Sequence, residues 1–210
     1  MFRRHLALMV LVGAGCGREP LPRLLLQTQQ DVEDAGGTPE ADSVFITGSV
    51  RDLTPLRSLA AVVVDVTISH ADELVSLDGL ENIRDSLRPG NTGLSWDVEA
   101  NATLGDVSAI EGIQTVVSFQ FNPALVVIDL PSLVEVQSLG IDEMSATVLS
   151  APHLTSIVDT LSIGQAPYLC EVDLPVLTII GILEVNDLDM CWPYDERAAL
   201  AQRTGAVLLP

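Results

Sequence analysis

Between residues 118 and 189 the chain repeats one short pattern of apolar and polar positions. Phe119-Gln120-Phe121-Asn122, Leu139-Gly140-Ile141-Asp142, Leu161-Ser162-Ile163-Gly164 and Leu183-Glu184-Val185-Asn186 each read apolar, variable, apolar, polar or small. A second pattern lies between them: Leu130-Pro131-Ser132-Leu133, Ala151-Pro152-His153-Leu154 and Leu174-Pro175-Val176-Leu177. Each is followed, three places after its last Leu, by Val136, Ile157 or Ile180. The second apolar residues of the first pattern (Phe121, Ile141, Ile163, Val185) are spaced 20, 22 and 22, and the prolines 21 and 23. A period of this size marks one structural unit stacked on copies of itself. The alternation predicts one short strand per unit with alternate side chains inward. A bend is expected at Asn122, Asp142, Gly164 and Asn186, then a second inward Leu and a Pro or Gly corner. One unit alone buries almost nothing. Stacked units pair their strands in parallel at about 4.8 Å and bury ladders of Leu, Ile and Val at about 25 cal/mol per Å² of apolar area.

The pattern extends toward the N-terminus in looser form. Residues 44–50 (VFITGSV) alternate and predict a first strand or an N-terminal cap. Leu53-Thr54-Pro55-Leu56 with Leu59 repeats the proline pattern, and 62–69 (VVVDVTIS) is β-branched and strand-like. Leu77-Asp78-Gly79-Leu80-Glu81-Asn82-Ile83 is the corner pattern with Asp-Gly for Pro-x, and Ile110-Glu111-Gly112-Ile113 is read as its next copy. The final anchors Leu80, Ile113, Leu133, Leu154 and Leu177 are then spaced 33, 20, 21 and 23, the long interval holding a turn-rich insertion at 86–92 (SLRPGNT). Trp96 and Val98 mark the strand after it, and Asn101-Ala102-Thr103-Leu104 matches Asn122-Pro123-Ala124-Leu125 one period on. From Pro193 to Arg203 the pattern changes to that of a helix: Pro and acids at its start, Arg203 near its end and Gly205 beyond. Such a helix would cover the last unit through Trp192 and Leu200, with Val207-Leu208-Leu209 as a candidate final strand.

Composition sharpens this. The chain is 48% hydrophobic but only 4% aromatic, so its core must be aliphatic. The net charge is −19, there is no Lys, and from Pro89 to Glu196 there is no Arg either. A surface of that sign repels phosphate backbones, which argues against nucleic-acid binding.

Residues 1–16 (MFRRHLALMVLVGAGC) have a positive start, a short apolar run and small residues, the layout of a secretory signal. The run is shorter than the roughly 20 apolar residues a membrane-spanning helix needs. Its ending, Gly13-Ala14-Gly15-Cys16, resembles the lipobox of bacterial lipoproteins, with Gly13 where that family usually has Leu. The resemblance implies removal of residues 1–15, lipidation of Cys16 and anchoring to a membrane. Gly17, which is not the Asp of inner-membrane retention, implies the outer membrane. Cleavage would remove Arg3 and Arg4 and take the net charge from −19 to −21. Residues 16–43, rich in Pro, Gly, Gln and acids, read as a flexible acidic tether. Within it Leu24-Leu25-Leu26 would lie on either the membrane or the domain.

The alternation of L-D-G-L-E-N-I, S-F-Q-F-N-P-A-L and D-L-P-S-L-V-E-V resembles the receptor L domain, the leucine-rich, right-handed β-helical module of receptor ectodomains that also occurs in bacterial surface proteins. The expected fold is therefore mainly β: a right-handed β-solenoid of about six coils over 44–192, closed by a short helical cap over 193–210. The resemblance implies a binding or scaffolding module without catalytic residues or cofactor, meeting an unknown protein or glycan ligand. Cys170 and Cys191 stand about one period apart, at matching places in successive units. Neighbouring strands bring such positions within disulfide range, and an exported protein is oxidised; the rival reading is two buried thiols. No CxxC or adjoining His favours a metal. His70 and His153 are isolated, with His153 expected exposed at its corner. No GxSxG elbow or phosphate-cradling glycine loop is present. The acid pairs Asp97/Glu99, Asp142/Glu143 and Asp187/Asp189 keep two alternatives open, a carbohydrate-active β-helix enzyme or Ca²⁺ binding.

Overall fold

The computed structural model describes residues 20–85, 93–186 and 191–209. The chain is mainly β. In order it forms β1 (Arg23–Thr28), α1 (Gln29–Ala35), β2 (Glu40–Ser49), a 3-10 turn over Thr54–Ser58, β3 (Ala61–Ser69), β4 (Arg84–Asp85) and β5 (Ser95–Glu99). Then follow β6 (Glu111–Gln120), β7 (Val127–Asp129), β8 (Ser132–Asp142), β9 (Val148–Ser150), β10 (Ser156–Gly164), β11 (Glu171–Asp173), β12 (Ile179–Val185), α2 (Tyr194–Thr204) and β13 (Val207–Leu209). The large sheet runs β1-β2-β3-β5-β6-β8-β10-β12-β13 with β4 beside β3, and β7, β9 and β11 form a smaller one. The strands of both sheets pair in parallel, and neither sheet closes into a barrel.

Register explains the spacing. One ladder crosses the large sheet through Leu24, Val44, Val66, Trp96, Val117, Leu139, Leu161 and Leu183. A second, two places on, runs through Leu26, Ile46, Ile68, Val98, Phe119, Ile141, Ile163 and Val185. The side chains of both ladders are all buried and share one continuous core with Ile128 and Leu149 of the smaller sheet. Burial of each is worth roughly 1.5–3 kcal/mol, so the ladders dominate the stability of the stack. The corner residues Leu56, Leu80, Ile110, Leu133, Leu154 and Leu177 close tight turns, each amide donating to the carbonyl three places earlier.

Where the large-sheet strands end, the chain turns through left-handed residues: Gly48, His70, Ala100, Phe121, Glu143 and Gln165, with φ of 71, 53, 54, 53, 50 and 43°. Their amides continue the ladder into the bend: Gly48 N to His70 O (3.0 Å), Ala100 N to Gln120 O (2.9 Å), Glu143 N to Gly164 O (3.2 Å). Buried Asn101 and Asn122 follow two of these corners. Asn122 Nδ2 donates to Val98 O (2.8 Å) and Gln120 O (2.9 Å), and Asn122 Oδ1 accepts from Asn101 N (3.1 Å) and Asn101 Nδ2 (3.0 Å).

Three sequence expectations need correction. Residues 23–43 are not tether. β1 and α1 belong to the domain, Leu24, Leu26 and Val32 are buried, and Thr28 and Asp31 form a capping box on α1. Polar composition conceals a strand in which only every second side chain points inward. The large sheet thus begins ahead of residue 44, and among the described residues its main path counts nine strands. Second, the repeat is out of phase between residues 107 and 122. Phe119, not Phe121, pairs with Ile141, so the ladder runs at a uniform spacing through Ile163 and Val185. Phe121 is an exposed left-handed corner. Likewise Ile110 is the buried anchor while Ile113 is 63% exposed, and the inward place opposite Val136 is taken by Gln114. Gln114 is tolerated there because its Oε1 accepts from Trp96 Nε1 (3.2 Å) and its Nε2 donates to Glu111 O. Third, Asn122 is not the counterpart of Asp142; Gln120 is. The expected final strand exists, since β13 pairs with β12. Trp192 and Leu200 are buried, and Gly205 (φ 74°) ends α2 in the left-handed conformation. The insertion at 86–92 lies outside the described residues.

Candidate functional site

Strand alternation that turns the two ladders inward turns the residues between them outward. One outward row reads Thr67, Asp97, Ser118, Gly140, Ser162, Glu184 across β3, β5, β6, β8, β10 and β12. The next reads Ser69, Glu99, Gln120, Asp142, Gly164. These rows make the face polar, and the sequence from Pro89 to Glu196 brings no Arg or Lys to it. Over β6, β8 and β10 the side chains are small, which leaves a depression of about 350 Å³ lined by Ser118, Gln120, Gly140, Ile141, Asp142, Ser162, Gly164, Gln165 and Asn186. Gln120 Nε2 donates to Asp142 Oδ2 (3.4 Å), and Asp142 Oδ1 accepts from Glu143 N (3.1 Å). Gly164 makes room for this carboxylate: a Cβ there would stand 2.6 Å from Asp142 Oδ1.

Toward β3 the same face carries three carboxylates, Asp65, Asp97 and Glu99. Partial desolvation on the sheet, followed by the charges of Glu99 and Asp65, raises the Asp97 carboxyl above its ordinary value. Asp65 Oδ1 is shielded from solvent without a hydrogen-bond partner. Asp97 and Glu99 share a face, as their i, i+2 spacing requires. Asp142 and Glu143 do not form such a pair, because Glu143 is a left-handed corner. Asp187/Asp189 lie outside the described residues, as does Cys16. Among the described residues no group of three His, Cys, Asp or Glu is placed to hold a metal ion.

Cys170 and Cys191 form a disulfide with Cα atoms 4.5 Å apart. Neighbouring backbone bonds hold both ends: Cys170 N donates to Thr147 O (3.0 Å) and Cys191 N to Pro167 O (3.1 Å). The bridge fixes the segment entering α2 against the preceding strand-and-corner unit, and Arg203 adds a second tie through its bond to Leu174 O (2.8 Å). His153 is exposed, its Nδ1 2.6 Å from Pro131 O, and His70 is a left-handed corner; neither joins the acids. The described Arg residues toward the N-terminal end are paired with acids: Arg23–Asp42, Arg51–Glu73, Arg57–Glu81 and Arg84–Glu111.

Asp65 and Gln120 are outward residues that sequence reading does not single out. The signal for Asp65 is the polar break in VVVDVTIS. Gln120 is hidden by the phase error at Phe119–Phe121. Among the described residues no helix is long and apolar enough to cross a membrane. Comparison with protein-family models, with curated proteins and with solved structures found no match for this chain.

Proposed function

We propose that this chain is a non-catalytic binding or scaffolding protein of the cell envelope, anchored in the outer membrane through a lipid on Cys16. In this reading its successive parallel strands wind as a right-handed β-solenoid similar to the receptor L domain, and its partner is a protein or glycan, not a nucleic acid. The observation that carries the reading is the outward face of the large sheet. It is a regular, cation-free array of Ser, Gln, Asp, Glu and Gly that spans β5 to β12 and borders a depression of about 350 Å³. Rigid sheets with outward polar rows suit recognition, since the scaffold holds each group in place before binding and little ordering entropy is lost. The disulfide and the signal-like N-terminus support export.

Two experiments test it. Wild type should partition with membranes, and Cys16→Ser should release the chain to the soluble fraction; unchanged fractionation of the Ser variant would remove the anchor. Envelope extracts passed over the immobilised domain should yield a retained protein or glycan. Repeated failure to retain either would remove the binding role.

A second reading draws on Asp97, whose raised carboxyl sits beside Glu99 on one face: a carbohydrate-active enzyme using that pair. It requires reducing ends to be released from a polysaccharide and the release to fall with Asp97→Asn.

A further inference from the structure

We infer that the depression over β6, β8 and β10 is a subsite for a neutral saccharide; this rests on the binding-module reading above and names its ligand class. Gly140 lies in the middle of a strand with a sheet neighbour on both sides. Glycine at such a place weakens a strand relative to alanine. Nothing in the packing demands it: its φ is not positive, and an added Cβ would meet only Ser118 Oγ, at 3.7 Å, an ordinary contact. A mid-strand glycine that neither turn nor packing requires marks a place where another molecule approaches the backbone.

What surrounds Gly140 defines that molecule. Ser118 and Ser162 flank it on the two adjacent strands. Their hydroxyls and the carboxamide of Gln165 hold no hydrogen bond within the protein among the described residues, so they are open to a ligand. Gln120 and Asp142 add a carboxamide and a carboxylate. Hydroxyls and carboxamides both donate and accept, and a carboxylate accepts strongly, which matches a ligand dense in hydroxyl groups. An anionic ligand is disfavoured, because Asp97 and Glu99 lie on the same face and no Arg or Lys occurs from Pro89 to Glu196. Next in the chain after Gln120, Phe121 is 42% exposed in a left-handed corner. The other described non-glycine corners are His, Ala, Glu and Gln. An aromatic ring in that strained, exposed place offers its face to the C–H groups of a pyranose. A volume near 350 Å³ is at the lower end for small-ligand sites, consistent with one subsite along a longer chain.

The test uses calorimetric titration of the whole mature chain with cello-, malto-, chito- and manno-oligosaccharides, polygalacturonate and an oligo-arginine peptide. Binding of at least one neutral oligosaccharide is expected, without binding of polygalacturonate. Gly140→Leu fills the depression without backbone strain and should weaken binding about tenfold or more, while its melting temperature is unchanged or higher. Asp142→Asn keeps the shape but loses the carboxylate acceptor, so it should weaken saccharide binding without abolishing it. The inference is overturned if no neutral oligosaccharide binds at millimolar concentration, if Gly140→Leu binds as well as wild type, or if only oligo-arginine binds and Asp142→Asn abolishes it. Capture from envelope extracts separates the two levels. A protein retained by wild type and lost with Gly140→Leu would leave the binding role standing and sink the saccharide. Nothing retained and no sugar bound would sink both.

Discussion

Among the described residues, the Asn122 side chain makes the most hydrogen bonds. It serves Val98 O, Gln120 O and two donors of Asn101, all in a buried corner. Asn122→Ala leaves these groups unpaired away from water, so a loss of about 2–4 kcal/mol is expected in chemical denaturation, summing more than one unmade bond. Glycines separate two kinds of constraint. Gly79 has φ +111°, and a Cβ there would stand 2.1 Å from Leu53 O, whereas Gly112 has φ +78° with nothing within 4 Å. Gly79→Ala should therefore destabilise severely or prevent folding. Gly112→Ala should cost only the left-handed strain, about 1–2 kcal/mol. Asp97 gives a pH signature. A carboxyl raised in the folded state binds more protons when native, so stability falls as pH climbs through the window just above the ordinary aspartate value. Asp97→Asn should raise the melting temperature at neutral pH and flatten that fall, with the gain vanishing below the window. An Asn variant less stable than wild type at neutral pH would refute this.

At the scale of elements, the disulfide and α2 act together. The bridge closes a 21-residue separation and pins the chain ahead of a helix whose buried residues are only Leu200, Ala201 and Thr204. Removing it by Cys170→Ser with Cys191→Ser should cost about 3 kcal/mol, and proteolysis should then begin in the C-terminal segment. Initial cleavage elsewhere would contradict that role. Elements are legible in the sequence wherever an inward ladder is purely aliphatic, as from Leu139 to Val185. They are obscured where it is not. Gln114 holds an inward place because Trp96 satisfies it, and Phe121 stands outward despite being aromatic. Each breaks the apolar pattern and shifts its apparent phase by a place or more. β1 and α1 escape notice because a strand with two buried leucines and a short helix cannot outvote a polar, acidic surrounding. The outward rows follow from alternation once phase is known. Which row carries the depression depends on strand register, which no local pattern encodes.

For the whole molecule, charge and topology pull in opposite directions. Net charge is −19, and the Arg residues that answer it sit mostly at the N-terminal end, so the later strands repel one another across the sheet. Raising ionic strength from about 0.01 to about 0.15 M shortens the screening length from about 30 to about 8 Å. The melting temperature should therefore rise over that range, and a fall would mean that ion pairs outweigh the repulsion. Topology supplies cohesion: past a register shift early in each pairing, β6, β8, β10 and β12 meet at one constant offset, Phe119 to Ile141 to Ile163 to Val185. That offset makes length a quantised property of the gene. Losing residues 143–164 would bring Gln165 in line after Asp142, with both ladders continuous, whereas losing a single residue within a strand would turn its apolar side chains to water. Copying errors in this stretch are thus filtered by size: whole periods can be gained or dropped, and the reach of the outward polar face can change by one strand at a time.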